Sequence, residues 1–175
     1  MELTGYLAKK IIQHTMRHGK RLVVAWGCKC LATHKDVTHL QSSQEEADTK
    51  MLLHALHATA DGASEIQIHS PDTDVFVLSL RRHPDLCENT SFVTGKGSSH
   101  RVIKLRPTVQ GKTAALPAFH AISGADNTGS FSGKGKLAWW KIFQDADEGV
   151  ITKLERLGVN ENPTAKMETA TEKLV

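Results

Sequence analysis

The sequence has few of the features that mark secreted, fibrous or membrane-spanning proteins. Its three cysteines are an odd number at no framework spacing, which argues against a disulfide scaffold and favours reduced thiols. No apolar run approaches the roughly 18 residues of a membrane helix, and the N-terminus lacks the hydrophobic stretch of a signal peptide. We therefore expect an intracellular protein of the nucleus or cytoplasm with no membrane partner.

The chain also has little excess of one charge. Lysine and arginine total 22 against 19 aspartates and glutamates, a formal net charge of +3, which permits a nucleic-acid partner without requiring one. Hydrophobic residues make up 39% and charged residues 23% of the 175 residues, values that exclude collagen-like, coiled-coil and wholly disordered chains. This length predicts about one domain.

Several common nucleotide-binding and nucleophile motifs are missing. The Gly111-Lys112-Thr113 triplet suggests a phosphate-binding P-loop, but the full pattern requires glycine at the position of Arg106. The chain also contains no G-x-S-x-G nucleophile motif and no G-x-G-x-x-G dinucleotide fingerprint. The sequence therefore excludes a P-loop nucleotide site, a G-x-S-x-G hydrolase and a dinucleotide-binding enzyme of the G-x-G-x-x-G type.

Hydrophobic periodicity predicts helices that alternate with strands. The predicted helices cover residues 3–18, 43–60, 75–82 and 114–122, and the predicted strands cover 21–30, 65–70, 91–95 and 101–105. This alternation is typical of a three-layer α/β domain with a largely parallel sheet. The apolar run 21–30 predicts a strand buried on both faces, and the polar, aperiodic sequence over 158–175 predicts a disordered tail.

Acidic residues follow or open these predicted elements at three places. Asp72 and Asp74 come directly after a strand, where their i, i+2 spacing lets both carboxylates face one hard cation. Glu46 and Asp48 open a helix, and Asp126 lies in a glycine-containing turn. The cluster predicts binding of Mg²⁺ or Mn²⁺, since close carboxylates repel unless a cation compensates. The structural alternative also stands: Asp72 caps the following helix, while Glu46 and Asp48 complement a helix dipole.

Three segments in this order resemble the PIN-like superfamily in its flap-endonuclease (XPG-type) branch. They are EEADTKMLLHA at 45–55, IHSPDTDVFVL at 68–78 and HAISGADNTGSFSGKGK at 120–136. The resemblance is closest to a mobile-element-associated animal group, and it covers roughly residues 43–143. It implies a Mg²⁺- or Mn²⁺-dependent nuclease that hydrolyses phosphodiester bonds. The implied metal ligands are Glu46, Asp48, Asp72, Asp74 and Asp126, and the first four are also the implied catalytic residues.

The resemblance also implies a domain organisation and a partner. A PIN-like domain would cover 1–157, with a helix-hairpin-helix-like segment at 124–145. In that segment the residues implied to hold nucleic-acid phosphates are Gly133, Lys134, Gly135 and Lys136. The family favours DNA, although the residues themselves do not decide between DNA and RNA. A plain glycine-rich turn is the alternative for these four residues, and the aromatic residues downstream are expected to pack a helix.

One part of the family pattern has no counterpart. The family places an aspartate on a first strand upstream of the acidic helix, whereas residues 1–35 contain no aspartate and only one acid, Glu2. We expect that the chain lacks the family's N-terminal part and that its metal site is short of a ligand. A working nuclease and an inactive remnant of one therefore both remain open.

Two further readings compete with the nuclease. A zinc-binding module is one of them, built from Cys28, Cys30, His34 and His39, although their spacing departs from common structural zinc sites. The other is a non-catalytic nucleic-acid or protein-binding domain. Its support is a set of basic residues near the N-terminus, namely Lys9, Lys10, Arg17, Lys20, Arg21 and Lys29. Metal-dependent cleavage separates the nuclease from both.

Overall fold

The computed structural model describes residues 3–42, 47–106, 111–125 and 135–157. It is a mixed α/β structure, as the sequence predicts. Backbone contacts divide the chain into two compact units, Met1–Ala58 and Thr59–Val175. The single domain expected over 1–157 stays a prediction, and the expected tail over 158–175 lies outside the described residues.

The first unit combines helices with a two-stranded antiparallel sheet. Its elements are α1 (Leu3–Arg17), β1 (Val23–Trp26), β2 (Lys29–Ala32), a short 3₁₀ helix (Thr38–Leu40) and α2 (Ala47–Ala60), whose last two residues belong to the second unit. Both predicted helices are thereby confirmed within the described residues, but the predicted start of the second helix, residues 43–46, lies outside them.

The prediction of one buried strand over 21–30 is wrong. The run folds back at Gly27, and β1 pairs with β2 from Val23 opposite Ala32 to Trp26 opposite Lys29. Gly27 has φ +49°, a conformation that glycine adopts without the steric cost other residues meet. Every residue of β1 is only partly buried. A continuous apolar run thus predicts one long strand only when it contains no glycine, because a glycine can turn the run into a hairpin.

The core of the first unit lies between this hairpin and its helices. Cys30, Val37 and Leu40 form its buried centre, and Leu53 of α2 packs against them. Helix α1 packs on β1, and its buried residues are Ala8 and Ile12. Five large apolar side chains of α1 remain exposed, namely Leu3, Tyr6, Leu7, Ile11 and Met16.

The second unit contains a three-stranded mixed sheet in the order β3-β4-β5. Its elements are β3 (Ile66–His69), α3 (Thr73–Arg82), β4 (Thr90–Thr94), β5 (Arg101–Lys104), α4 (Leu116–Ile122), α5 (Lys136–Asp145) and α6 (Glu148–Arg156). Strand β3 runs parallel to β4, whereas β5 runs antiparallel to it. Among the described strands only the β3–β4 pairing is parallel, so the largely parallel sheet expected from the sequence is not found there.

Helix α3 connects the two parallel strands and packs over the sheet. The rings of Phe76 on α3 and Phe92 on β4 are 5.0 Å apart, and Val75 is fully buried. The neighbouring strands β4 and β5, both predicted from the sequence, are joined by a turn that begins at Gly95. Gly95 has φ +77°, and a Cβ there would lie 2.0 Å from the carbonyl oxygen of Ser99. This turn therefore needs glycine for two separate reasons.

The helices that follow the sheet pack on one another. Helix α4 contacts α3 and α6, and the rings of Phe119 and Phe143 are 4.6 Å apart. Trp139 and Phe143 are almost completely buried, which confirms that these α5 aromatics pack a helix. None of the described helices is long and apolar enough to cross a membrane.

Candidate functional site

The turn between β3 and α3 holds the two aspartates that the sequence singles out. Asp72 is the N-cap of α3, and its Oδ1 accepts a hydrogen bond of 2.8 Å from the backbone N–H of Asp74. The backbone N–H of Asp72 donates in turn to the hydroxyl of Ser70 at 3.1 Å. Both carboxylates are partly exposed at the carboxyl end of β3. Capping is thus a confirmed role of Asp72, and it leaves the carboxylate accessible.

A histidine from a distant part of the chain meets the second aspartate. His120 Nε2 lies 2.6 Å from Asp74 Oδ1, with the His120 side chain 10% and the Asp74 side chain 32% exposed. A short contact of this kind, with a carboxylate as acceptor, is among the stronger hydrogen bonds in proteins. It fixes the direction in which the Asp74 carboxylate points while leaving part of that carboxylate open to solvent.

The backbone around His120 is also held in place. His120 lies on α4, and its carbonyl oxygen accepts a hydrogen bond of 3.2 Å from the buried hydroxyl of Ser123. Helix α4 contacts α3, the helix that carries Asp74. No sequence pattern indicates a role for His120, although this residue lies within the segment that carries the third motif. A single histidine has no spacing pattern, so only the folded chain reveals its partner.

An apolar groove of about 530 Å³ opens beside this pair in the second unit. Helices α3, α4 and α5 supply its walls. The lining residues are Thr73, Phe76, Val77, Leu80, Leu116, Phe119, His120, Lys136, Leu137 and Trp140. His120 thus contributes both to the groove and to the contact with Asp74. A pocket of this size, apolar with a few polar groups, is typical of ligand sites.

The other sequence-predicted residues are distributed as follows. Asp48 lies in the first turn of α2, in the first unit. Gly135 is the N-cap of α5, and Lys136 Nζ donates to the carbonyl oxygen of Gly124 at 3.1 Å. Glu46, Asp126, Gly133 and Lys134 lie outside the described residues. The structure therefore brings together Asp72, Asp74 and the additional His120.

The donor chemistry at the β3–α3 turn suits a hard divalent cation. Carboxylate oxygens are the protein ligands that Mg²⁺ and Mn²⁺ prefer, and Asp72 and Asp74 supply them two residues apart. Ligating carboxylates are commonly oriented by a further hydrogen bond, as His120 orients Asp74. Within the described ranges, no group of three or more histidine, cysteine, aspartate or glutamate side chains is placed to hold a metal ion. The fit therefore rests on two described carboxylates.

The four residues of the alternative zinc module are all described. Cys30 is buried in the core of the first unit, and burial raises the pKa of its thiol. Cys28 is exposed at the hairpin turn. His39 is paired with His57, with His39 Nε2 3.2 Å from His57 Nδ1. The structure therefore gives His39 a partner other than the cysteines.

No protein-family model matches this sequence, and no curated protein or solved structure matches it significantly.

Proposed function

We propose that the chain carries a metal-dependent phosphodiester-hydrolysing site of the PIN-like, flap-endonuclease type. The substrate would be nucleic acid, with DNA the expected class, and the fold would be the corresponding three-layer α/β arrangement. The observation that supports this proposal is the β3–α3 turn, where Asp72 and Asp74 present accessible carboxylates and His120 orients one of them.

The chemistry assigned to this turn is cation binding. Asp72 and Asp74 would hold Mg²⁺ or Mn²⁺, and a cation bound there would supply Lewis-acid activation of the phosphodiester and of water. Asp72 keeps one oxygen, Oδ1, on the backbone N–H of Asp74, so its position is fixed before any ligand arrives. Preorganised ligands of this kind lose less conformational entropy when the cation binds.

His120 is a positioning residue in this proposal. Its Nε2 bonds to Asp74 Oδ1 and leaves Asp74 Oδ2 available as a ligand atom. Replacement of His120 is therefore expected to weaken cation binding without removing a ligand. A replacement of Asp74 removes the ligand itself. In a metal titration, the Asp74 variant is therefore expected to lose more cation affinity than the His120 variant.

The test is cleavage of labelled flap DNA, single-stranded DNA and single-stranded RNA by the full chain with Mg²⁺, with Mn²⁺ and with EDTA. Asp72→Asn and Asp74→Asn remove charge but keep an acceptor oxygen, so that the helix cap and the contact with His120 survive. Each is expected to lower cleavage at least about 100-fold. Asp85→Asn is the matched control, because Asp85 forms an exposed ion pair with Arg82 on the same unit.

Further variants complete the experiment. Glu46→Gln, Asp48→Asn and Asp126→Asn test the remaining ligands that the resemblance implies. Cleavage that survives both Asp72→Asn and Asp74→Asn, or that continues in EDTA, would contradict the proposal. A folded chain with no metal-dependent cleavage of any of these substrates would contradict catalysis by this chain and leave the alternative below.

Binding of nucleic acid without cleavage is the second candidate. One observation favours it: all six basic residues near the N-terminus are exposed, namely Lys9, Lys10, Arg17, Lys20, Arg21 and Lys29. Phosphate binding by such residues weakens steeply as salt concentration rises. The test is binding of the same DNA and RNA in EDTA at several salt concentrations. Lys9→Gln with Lys10→Gln is expected to reduce the salt slope, and an unchanged slope would contradict this candidate.

A further inference from the structure

Two histidines of the first unit face each other across 18 residues of sequence. His39 lies on the 3₁₀ helix Thr38–Leu40, and His57 lies near the end of α2. His39 Nε2 is 3.2 Å from His57 Nδ1, and the ring centroids are 4.8 Å apart with the planes inclined at 59°. Each ring thus turns one nitrogen toward the other.

Packing on both sides holds this pair in position. Leu40, next to His39, is buried in the core of the first unit, and Leu53 of α2 packs against the same core. At the start of the 3₁₀ helix, Asp36 Oδ1 accepts hydrogen bonds from the backbone N–H and the hydroxyl of Thr38, at 3.1 and 2.5 Å. The two elements that carry the histidines are therefore fixed by contacts independent of the histidines themselves.

The spacing of the two nitrogens matches the bite of a metal ion. Zinc–nitrogen bonds of 2.0–2.1 Å at a tetrahedral angle place two ligand nitrogens about 3.3 Å apart. The observed separation is 3.2 Å. Imidazole is a common ligand of zinc, copper and nickel, whereas carboxylate oxygens suit magnesium and calcium. The pair thus fits a divalent transition metal by distance and by ligand type.

We propose that His39 and His57 form a two-imidazole site for a divalent transition-metal ion, with Zn²⁺ as the first choice. His39 is exposed, so water completes the coordination on that side. Binding replaces the nitrogen-to-nitrogen contact with two metal–nitrogen bonds. The proton that lies between the rings moves to the far nitrogen of its own ring, so both ligands are neutral imidazoles.

This site differs from the alternative zinc module of Cys28, Cys30, His34 and His39, and it does not depend on the proposed nuclease activity. Of those four residues it uses only His39, and it adds His57. A competing histidine pair is His14 and His18 on α1, with rings 4.4 Å apart. In that pair His18 Nδ1 already bonds to the carbonyl oxygen of His14. An experiment must therefore separate the two pairs.

The experiment is calorimetric titration of the full chain with ZnCl₂, after EDTA treatment, on protein that carries no polyhistidine tag. The original chain is expected to bind one Zn²⁺ and to gain thermal stability as Zn²⁺ increases. His39→Ala and His57→Ala are each expected to weaken this binding at least about tenfold. His54→Ala, on α2 beside His57, and His14→Ala are the matched controls, and neither is expected to weaken binding.

Far-ultraviolet circular dichroism checks that each variant folds, and Cu²⁺ provides a second readout. Electron paramagnetic resonance of the Cu²⁺ form should show two nitrogen ligands in the original chain and fewer in His39→Ala. Because His39 is exposed, His39→Ala leaves the core of the first unit unchanged. Zn²⁺ binding that persists in His39→Ala, that is lost in His14→Ala, or that is absent from the original chain up to 1 mM, overturns the proposal.

Discussion

His120 Nε2 lies 2.6 Å from Asp74 Oδ1, and 46 residues of sequence separate the two. The histidine is nearly buried, and the aspartate is about one-third exposed. The contact therefore joins the exposed β3–α3 turn to the interior of the second unit. Its consequence for the free energy of unfolding can be measured without a substrate.

His120→Ala is expected to lower the free energy of unfolding by about 2 kcal/mol, because a hydrogen bond to a charged group is lost and a small void is created. Urea denaturation of His120→Ala, Asp74→Ala and the double variant measures the coupling between the two side chains, which we expect to reach about 1 kcal/mol. The Arg82–Asp85 pair is the matched control.

In that control pair, Arg82 Nε and Asp85 Oδ2 are 3.3 Å apart and both side chains are about half exposed. Exposed ion pairs of this kind contribute about 0.5 kcal/mol or less. The same double-variant measurement is therefore expected to give a smaller coupling for Arg82 and Asp85. Equal couplings in the two pairs would show that the contact of His120 with Asp74 contributes nothing beyond a surface ion pair.

Lys112 is expected to stabilise the C-terminal end of α5. Its ammonium group donates to the carbonyl oxygens of Phe143, Gln144 and Ala146 at 3.3, 2.7 and 2.8 Å. Carbonyls in the last turn have no partner within the helix, and a cation there also complements the helix dipole. Lys112→Met is expected to lower the free energy of unfolding by about 2 kcal/mol.

Lys141→Met provides the control for that measurement. Lys141 lies on α5 itself and is exposed, so its replacement is expected to change stability by less than about 0.5 kcal/mol. Thermal or urea denaturation of both variants makes the comparison. If Lys112→Met and Lys141→Met lower the free energy of unfolding by similar amounts, Lys112 does not stabilise the C-terminal end of α5.

Substitutions at Gly95 and Gly62 distinguish two destabilising effects of replacing a glycine, namely backbone strain and steric clash. Both glycines have positive φ, +77° and +84°, but a Cβ on Gly95 would lie 2.0 Å from the Ser99 carbonyl oxygen, whereas nothing lies within 4 Å of a Cβ on Gly62. Gly62→Ala is expected to cost about 1 kcal/mol from backbone strain alone. Gly95→Ala adds a steric clash and is expected to cost at least about 3 kcal/mol. Equal losses in urea denaturation would show that the β4–β5 turn relaxes around the new methyl group.

Much of the second unit could be predicted from the sequence because its signals are local. The glycine at position 95 marks the end of β4, and the helix after Asp72 follows from the capping pattern. Local spacing also placed Asp72 and Asp74 in one turn. It could not identify His120 as the partner of Asp74, because that contact depends on how α4 packs against α3.

The first unit shows where periodicity stops being informative. The pattern over 3–18 predicts the helix α1, but the large apolar residues that define its stripe are mostly exposed. The buried residues of α1 are Ala8 and Ile12, and Gly5 on the same helix approaches β1. A Cβ on Gly5 would lie 2.9 Å from the indole nitrogen of Trp26, so a larger residue there would force the Trp26 side chain to shift. Periodicity shows which side chains share a face and leaves open which face is covered.

The cysteines provide a test of the hairpin that the sequence did not predict. Cys28 is exposed at the turn, whereas Cys30, two residues later on β2, is 3% exposed. Burial raises the pKa of the Cys30 thiol, and the thiolate is the reactive form. In the folded chain at pH 8, iodoacetamide is expected to label Cys30 at least about 100-fold more slowly than Cys28, because Cys30 reacts only when the unit opens.

Peptide mass spectrometry over a labelling time course measures both rates, and Cys28→Ser confirms the assignment of the fast site. The raised pKa also sets a direction for stability. The contribution of the protonated Cys30 thiol to the free energy of unfolding is fully present below the thiol's ordinary pKa. It is lost as pH rises through the raised pKa of the folded chain, because the unfolded chain releases the proton at a lower pH. Cys30→Ala should therefore flatten the alkaline loss of stability. Comparable labelling of Cys28 and Cys30 in folded protein would instead mean that β2 separates from its core without global unfolding.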